Sequence, residues 1–298
     1  MFGKVCSFDL GCQRLLKTSE GNERGEMMMP ALPGHCFYAF LQVWLTEFSA
    51  ELVLPGLSYL RARMSEKLEI LYEDNHLIAI NKRASDIVQG DKTGDETLGE
   101  KVKQYLKEKY KKPGEVFIGV IHRLDRPVSG VVLFARTSKG LARMNELFRG
   151  RDVQKIYWAV VKDKPEKNSD TLVHFLYKNE KQNKSFADIY ERPGRLRCEL
   201  DYRLLASSDN YHLLEVVPHT GRHHQIRVQL AAIGCPIKGD LKYGARRSNP
   251  DASIHLHARQ LEFTHPVKNE KLVITAPPPQ EPLWQAFLEQ VEAKETEK

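Results

Sequence analysis

Apolar and polar positions change their period several times along this chain, and each change marks an element. Leu68-Glu69-Ile70-Leu71-Tyr72 and His76-Leu77-Ile78-Ala79-Ile80 predict two strands around a turn at Glu73-Asp74-Asn75. From Thr97 to Tyr110 the spacing becomes helical. Leu98, Val102, Tyr105 and Leu106 share one face, and Thr97 with Glu100 makes a capping box. Two unbroken apolar runs follow, Val116 to Ile121 and Val131 to Ala135. Both read as buried strands, with a charged segment, His122-Arg123-Leu124-Asp125-Arg126, as the tight connection between them. Ser138 to Phe148 predicts a second helix, with Leu141, Met144 and Phe148 inward and Gly150 as its stop. Strands are expected over 153–161, 171–177, 185–190, 199–206 and 211–217. His223 to Ile233 predicts a third helix, with Ile226, Leu230 and Ile233 on one stripe and Gly234 at its end. Strands near 254–263 and 271–275 precede Pro277-Pro278-Pro279. A last amphipathic helix is expected from Pro282 to Glu292, with Trp284, Phe287, Leu288 and Val291 inward.

Many hairpin-linked strands with scattered helices imply an α+β fold whose central sheet is mixed but largely antiparallel. Residues 1–63 stand apart. They hold four of the six methionines, including Met27-Met28-Met29, and show no sustained period. Met64-Ser65-Glu66-Lys67 reads as a natural beginning, so 1–63 is expected to be an N-terminal extension, disordered or not native, ahead of one domain over 64–298.

Charge adds a modest bias. Residues 1–63 carry six basic and six acidic side chains, which leaves 39 basic against 33 acidic in the rest and a net charge of +6 overall. That suits a polyanionic partner without requiring one. The five cysteines form no CxxC pair and are odd in number, which argues against a disulfide framework and for a reducing compartment. The longest apolar stretch, Phe37 to Leu60, is interrupted by Glu47, Glu51 and Pro55, so no membrane span is expected. The cytoplasm is the expected location, and a monomer the expected state.

The segment from His122 to Arg126 is the best candidate for chemistry. A carboxylate set between two arginines on a short strand-to-strand connection is kept in its charged form by nearby positive charge and sits on a rigid support. The plain alternative is a surface hairpin with a local ion pair. Other landmarks recur in order: Gln154 to Val161; Pro218-His219-Thr220-Gly221-Arg222-His223-His224-Gln225-Ile226-Arg227; Gly239 to Gly244; and His255-Leu256-His257-Ala258-Arg259. In order and spacing this resembles the RluA-type RNA pseudouridine synthases, over roughly residues 68–290, without a recognisable S4-type RNA-binding domain in 1–63.

The resemblance implies a pseudouridine synthase fold with an RNA-binding cleft, isomerisation of uridine to pseudouridine in structured RNA (ribosomal or transfer RNA), and no metal or cofactor. It implies that Asp125 acts directly on the target uridine. Moving the base from an N1–C1′ to a C5–C1′ bond needs no redox change and no net hydrolysis, so one carboxylate can suffice. Asp125 can add to C1′ or help to form a glycal by taking a ribose proton, and both routes stay open. The resemblance further implies a partner arginine, placed at Arg227 with Arg222 second, and a tyrosine under the target base, Tyr157. A uridine within folded RNA must be extruded to reach such a site. Arg123 is then placed to contact the RNA or the extruded base, Arg126 to serve phosphate, and Arg222 and His223 to face RNA. The bland readings are an exposed helix arginine for Arg227 and a cross-strand packing residue for Tyr157.

Two departures from the family pattern stand out. Val128 stands where the commoner pattern has a threonine, so a hydroxyl that could cap the loop is missing. Asn81-Lys82-Arg83 replaces Asn-Lys-Pro, which puts an extra charge near the RNA path. His255 and His257 share one side of a strand and, like the other histidines, read as hydrogen-bonding or RNA-facing residues. No zinc spacing and no His-Glu-x-x-His occurs. Asp240 with Lys242, and Arg259 with His265, read as residues that shape the cleft. The competing functions are a catalytically inactive RNA-binding or ribosome-assembly protein of the same fold, which should have lost one of Asp125, Tyr157 and Arg227, and an unrelated nucleic-acid hydrolase, which needs a metal cluster or a second carboxylate.

Overall fold

In a computed structural model that describes residues 68–90 and 94–296, eleven strands form one sheet and four α-helices pack against it. The expectations for 1–63 and for a start at Met64 lie outside the described residues. The strands are β1 (Ile70–Glu73), β2 (Leu77–Lys82), β3 (Gly119–Val120), β4 (Ser129–Ala135), β5 (Gln154–Val161), β6 (Ser169–Asn179), β7 (Lys184–Asp188), β8 (Leu196–Ser207), β9 (His212–Pro218), β10 (Leu256–Thr264) and β11 (Lys271–Thr275). The helices are α1 (Leu98–Lys109), α2 (Ser138–Gly150), α3 (Gln225–Ala232) and α4 (Pro282–Thr296). The sheet runs β1-β2-β4-β10-β5-β9-β8-β6-β7, with β3 also on β4 and β11 also on β10. Every pairing is antiparallel except β4 with β10. The α+β fold and the mixed, largely antiparallel sheet therefore stand as expected.

Alternation along the central strands sorts side chains onto two covered faces. On one face Ile78, Ile80, Val132, Phe134, Ala159, Leu214 and Leu256 meet Leu98, Val102 and Leu106 of α1 and Ile226 and Leu230 of α3. On the other, Leu77, Val131 and Leu133 pack with Met144 of α2, while Trp158 and Val160 pack with Trp284 and Phe287 of α4. Every residue of β4 is buried, as a strand covered on both sides must be. Each large side chain so buried contributes about 1.5–3 kcal/mol. This arrangement puts Tyr157 on the α1/α3 face and its neighbour Trp158 on the α4 face.

The lone parallel contact matters for position. His257 and Ala258 of β10 lie beside Ser129 and Gly130 of β4. Gly130 has φ of 113°, and a Cβ there would come within 2.3 Å of the Ala258 carbonyl oxygen. Only glycine permits that approach.

Three sequence expectations are corrected. Of the run Val116 to Ile121, only Gly119–Val120 is strand, and Phe117 and Val120 are exposed. Leu141 of α2 occupies the space where a side chain at Gly119 would stand, which leaves an irregular segment there. Helix α2 continues through Gly150, and Arg151 takes the left-handed capping conformation at φ 67°. Helix α3 begins at Gln225 and not at His223, because His224 is itself left-handed at φ 54°. The capping box at Thr97 and Glu100 is present as read.

Candidate active site

Asp125 sits on the connection from β3 to β4, and that connection is tied from several sides. Leu124 is buried beneath it. The Val128 amide donates to the Asp125 carbonyl at 3.1 Å, closing a turn. The Ser85 amide donates to Arg126 O and the Ile254 amide to Pro127 O, each at 3.0 Å. The His122 ring accepts from the Leu133 amide at 3.1 Å through Nε2 and stacks on Phe148. Burial pushes the His122 pKa down to about 4, so the ring is neutral at neutral pH. The rigid support expected from the sequence is present.

Lys82, at the end of β2, supplies the strongest tie. Its side chain is 1% exposed, and its ammonium donates to Arg83 O at 2.9 Å, Arg126 O at 3.1 Å and Val128 O at 2.6 Å. Burial pushes its pKa down to about 7, opposed by the negative charges of Asp86 and Asp125. Its charge therefore points into the loop that carries Asp125; the charge added by the departure from Asn-Lys-Pro is that of Arg83, which is exposed. Lys82 also supplies hydrogen bonds to this loop where Val128 has no hydroxyl to offer.

The cation facing Asp125 comes from 102 residues away. Arg227 Nη1 donates to Asp125 Oδ2 at 2.9 Å. Its Nε and Nη2 donate to the two carboxylate oxygens of Asp240 at 2.6 and 2.9 Å. Burial alone would disfavour the guanidinium charge, but the Asp240 hydrogen bonds and the two carboxylate charges outweigh it and raise its pKa. Arg227 is 5% exposed, so the exposed-helix alternative fails. Helix α3 is buried from Gln225 through Leu230, which is why a charged side chain there needs two acidic partners.

Asp240, 1% exposed, was read as a residue that shapes the cleft; it does so by gripping Arg227. Its neighbour Lys242 instead reaches away to Asn183 O. Arg259 lies over the Trp158 ring and donates to Ala276 O, while His265 pairs with Asp74. Neither of these two lines the cleft; Arg259 sits with Trp158 on the opposite face of the sheet. His255 and His257 are also buried there, packed on Trp284, so they hydrogen-bond but do not face RNA.

His224 is the residue the sequence undervalued. Its left-handed backbone turns the imidazole inward, with Nε2 3.4 Å from Asp125 Oδ2 and Nδ1 2.9 Å from the Tyr243 hydroxyl. Burial pushes its pKa down to about 3, against the pull of Asp125. The Tyr243 oxygen also accepts from the Ser185 amide. The Tyr243 ring lies under the Arg227 guanidinium at 5.1 Å. His223 stacks on His224 at 3.7 Å and is held by Ser185.

Asp125, Tyr157, Arg227, His224, Arg123 and Arg222 line one cleft of about 150 Å³. The Tyr157 phenol has no hydrogen-bond partner among the described residues. Burial, then the Asp125 charge, raises its pKa and keeps it protonated. Arg222 is exposed, and its loop is fixed by Gln225, which accepts from the Arg222 amide and from Thr220. Arg123 is exposed and donates to Gln89, and Arg126 pairs with Asp95. The Asp125 charge is thus met by Arg227, not by a local pair. Among the described residues no group of three or more His, Cys, Asp or Glu is placed to hold a metal ion, no helix is long and apolar enough to cross a membrane, and Cys198 and Cys235 are free.

Comparison with known proteins gives a consistent result. A family model described as RNA pseudouridylate synthase matches residues 76–232. The chain is 32% identical over 211 residues to the ribosomal large subunit pseudouridine synthase C of Rickettsia prowazekii (strain Madrid E), covering 70% of this chain and 67% of that one. It is 32% identical over 241 residues to the tRNA pseudouridine synthase C of Haemophilus influenzae (strain ATCC 51907 / DSM 11121 / KW20 / Rd), covering 75% of this chain and 97% of that one. Among solved structures, human RNA pseudouridylate synthase domain containing 4 superposes with a TM-score of 0.61 at 25% identity, covering 80% of this chain and 96% of that one.

Proposed function

The chain belongs to the RNA pseudouridylate synthase family, and from that premise we propose that it isomerises uridine to pseudouridine in structured ribosomal or transfer RNA, with Asp125 as the acting carboxylate. The observation that carries this reading is the shared guanidinium. Arg227 is fixed by a buried carboxylate on one side and presents its free edge to an accessible one on the other. Asp125 has a third of its side chain exposed, so it can be both held and reached.

The target nucleotide is extruded into the cleft. Asp125 then attacks C1′ or takes a ribose proton, and the N1–C1′ bond breaks. The freed uracil turns to offer C5, and a C5–C1′ bond forms as the Asp125–C1′ bond breaks or, on the glycal route, as Asp125 returns the ribose proton. The C5 hydrogen leaves and N1 gains one, so atoms balance without oxidant or water. Tyr157 supplies a ring against the base, worth about 1–3 kcal/mol of stacking, and a protonated phenol for the hydrogen transfer. His224 and Arg227 fix the carboxylate orientation. Arg123 contacts the RNA or the extruded base, and Arg126, Arg222 and His223 hold the RNA around it. The relatives are named for large-subunit ribosomal RNA and for transfer RNA, and both classes are proposed as substrates here. A monomer in the cytoplasm fits this role.

The test is Asp125→Asn. It should abolish pseudouridine formation while RNA affinity stays near that of the unaltered protein. Full activity in that variant would overturn the assignment. Mapping pseudouridines in RNA from cells with and without the protein identifies the substrate.

A further inference from the structure

Beside the Asp125 cleft lies a larger groove of about 690 Å³, and Lys155 and Pro218 line both spaces. The groove is built where the end of α2 leads into β5, next to the ends of β9, β10 and β11. Val153 and Phe263, both nearly fully buried, contribute apolar surface to it. Its cations are not equivalent. Lys271 is held by Glu262 at 2.6 Å. Arg151 and Lys155 have no carboxylate within ion-pairing distance among the described residues.

These two side chains also disfavour each other. Burial, then the Arg151 charge, lowers the Lys155 pKa. Arg151 is presented by a left-handed residue at φ 67°, directly after the helix. Lys155 reaches from β5 towards the Thr220–Arg222 loop, with Nζ 4.0 Å from where a Cβ on Gly221 would stand. Two like charges without a carboxylate partner among the described residues, one of them half-buried, therefore line the same groove, and Lys155 also lines the cleft. An anion placed between them would offset both the repulsion and the desolvation.

An extruded nucleotide carries a phosphate on each side, and those phosphates stay at the cleft mouth while the base goes in. We propose that Arg151 and Lys155 form a phosphate subsite for one of the two phosphates flanking the extruded uridine, and that the groove beyond them carries the next nucleotides of that single strand. This rests on the functional reading above and adds the direction in which the substrate leaves the site. Arg151 is better placed than Arg126 as a phosphate ligand for that strand: it lines the groove, whereas Arg126 is engaged by Asp95.

The full chain is tested with an unstructured probe, a heptauridylate, and with uridine 5′-monophosphate as the short control. The unaltered protein should bind the heptamer more tightly than the monomer. The double variant Arg151→Asn/Lys155→Gln should lose about tenfold in heptamer affinity at low salt, with the slope of log affinity against log salt reduced by about 0.7 for each phosphate no longer neutralised. Arg151→Asn alone, at an exposed position where asparagine tolerates the left-handed backbone, should give about half of that change in slope. Bound heptamer should also protect Lys155 from acetylation in the unaltered protein. An unchanged salt slope, or equal acetylation with and without the heptamer, overturns the subsite. Pseudouridine formation on ribosomal and transfer RNA transcripts is scored separately. A protein that binds through these cations yet never isomerises would sink the functional reading and leave the subsite standing.

Discussion

Replacing Asp240 by asparagine separates the two jobs that Arg227 performs. Asp240 is 1% exposed and takes two hydrogen bonds from the guanidinium. Asparagine keeps the shape, but it retains one acceptor oxygen, turns an amide donor against an N–H and removes the buried negative charge. Arg227, itself nearly inaccessible, is then left with Asp125 alone, which is one-third exposed and screened by solvent. Removing one partner of a buried ion pair typically costs about 3–5 kcal/mol. For a domain of this size each kcal/mol moves the melting temperature by roughly 2–4 °C, so Asp240→Asn should melt about 6–20 °C lower. The rate should fall as well, because a freed guanidinium no longer fixes Asp125, and a misplacement of about 1 Å costs on the order of 10²-fold. Asp125→Asn gives the contrasting pattern. Its pair is partly exposed and worth under about 1 kcal/mol, so melting should barely change while isomerisation stops. The assay is thermal denaturation alongside single-turnover release of tritium from C5-labelled uridine in RNA. An Asp240→Asn protein that melts within about 2 °C of the unaltered one and keeps its rate would refute the argument that the clamp is built from Asp240 outward.

Tyr157→Phe should retain RNA affinity and slow the chemical step by about 10²-fold or more, as loss of a proton-transferring group does; equal single-turnover rates would remove the hydroxyl from the mechanism. Lys82→Met loses donors to three loop carbonyls but also relieves a buried charge, so melting should shift by only a few degrees while kcat falls with RNA affinity unchanged. Because burial holds Lys82 near 7, raising the pH through that value strips one donor from the loop, and turnover should decline on the alkaline side in the unaltered protein but not in Lys82→Met; parallel pH profiles would contradict this. His255 and His257 have folded pKa values pushed down by burial from 6.5 to about 3 and about 4. Unfolded chains take up these protons near pH 6.5 and the folded protein does not, so stability is complete above 6.5 and is lost as pH falls towards 4 and then 3. At the acid end this amounts to about 5 kcal/mol for His255 and about 3 kcal/mol for His257, and melting temperatures that stay flat from pH 6.5 to 4.5 would exclude them.

Most of the strand and helix pattern was legible in the sequence because it depends on local period. The capping box at Thr97, the wholly buried β4 and the amphipathic α4 follow from residues within one or two turns of each other. The segment Val116 to Ile121 misled because Gly119 yields its space to Leu141 of a different element, and no local pattern records that. The histidines misled in the same way. His224 faces Asp125 only because its backbone is left-handed, and His255 and His257 face inward only because α4 lays Trp284 over them.

Neighbours along the chain were enough to set the alternating elements, the α+β class, and a carboxylate on a short connection between strands. Which cation that carboxylate meets was settled only by folding. Arg123 and Arg126 stand within two residues of Asp125 in the chain but are engaged by Gln89 and Asp95. Arg227 reaches it because the parallel pairing of β10 with β4 and the burial of α3 bring distant segments together, and because a buried guanidinium must find enough carboxylate oxygen to remain charged.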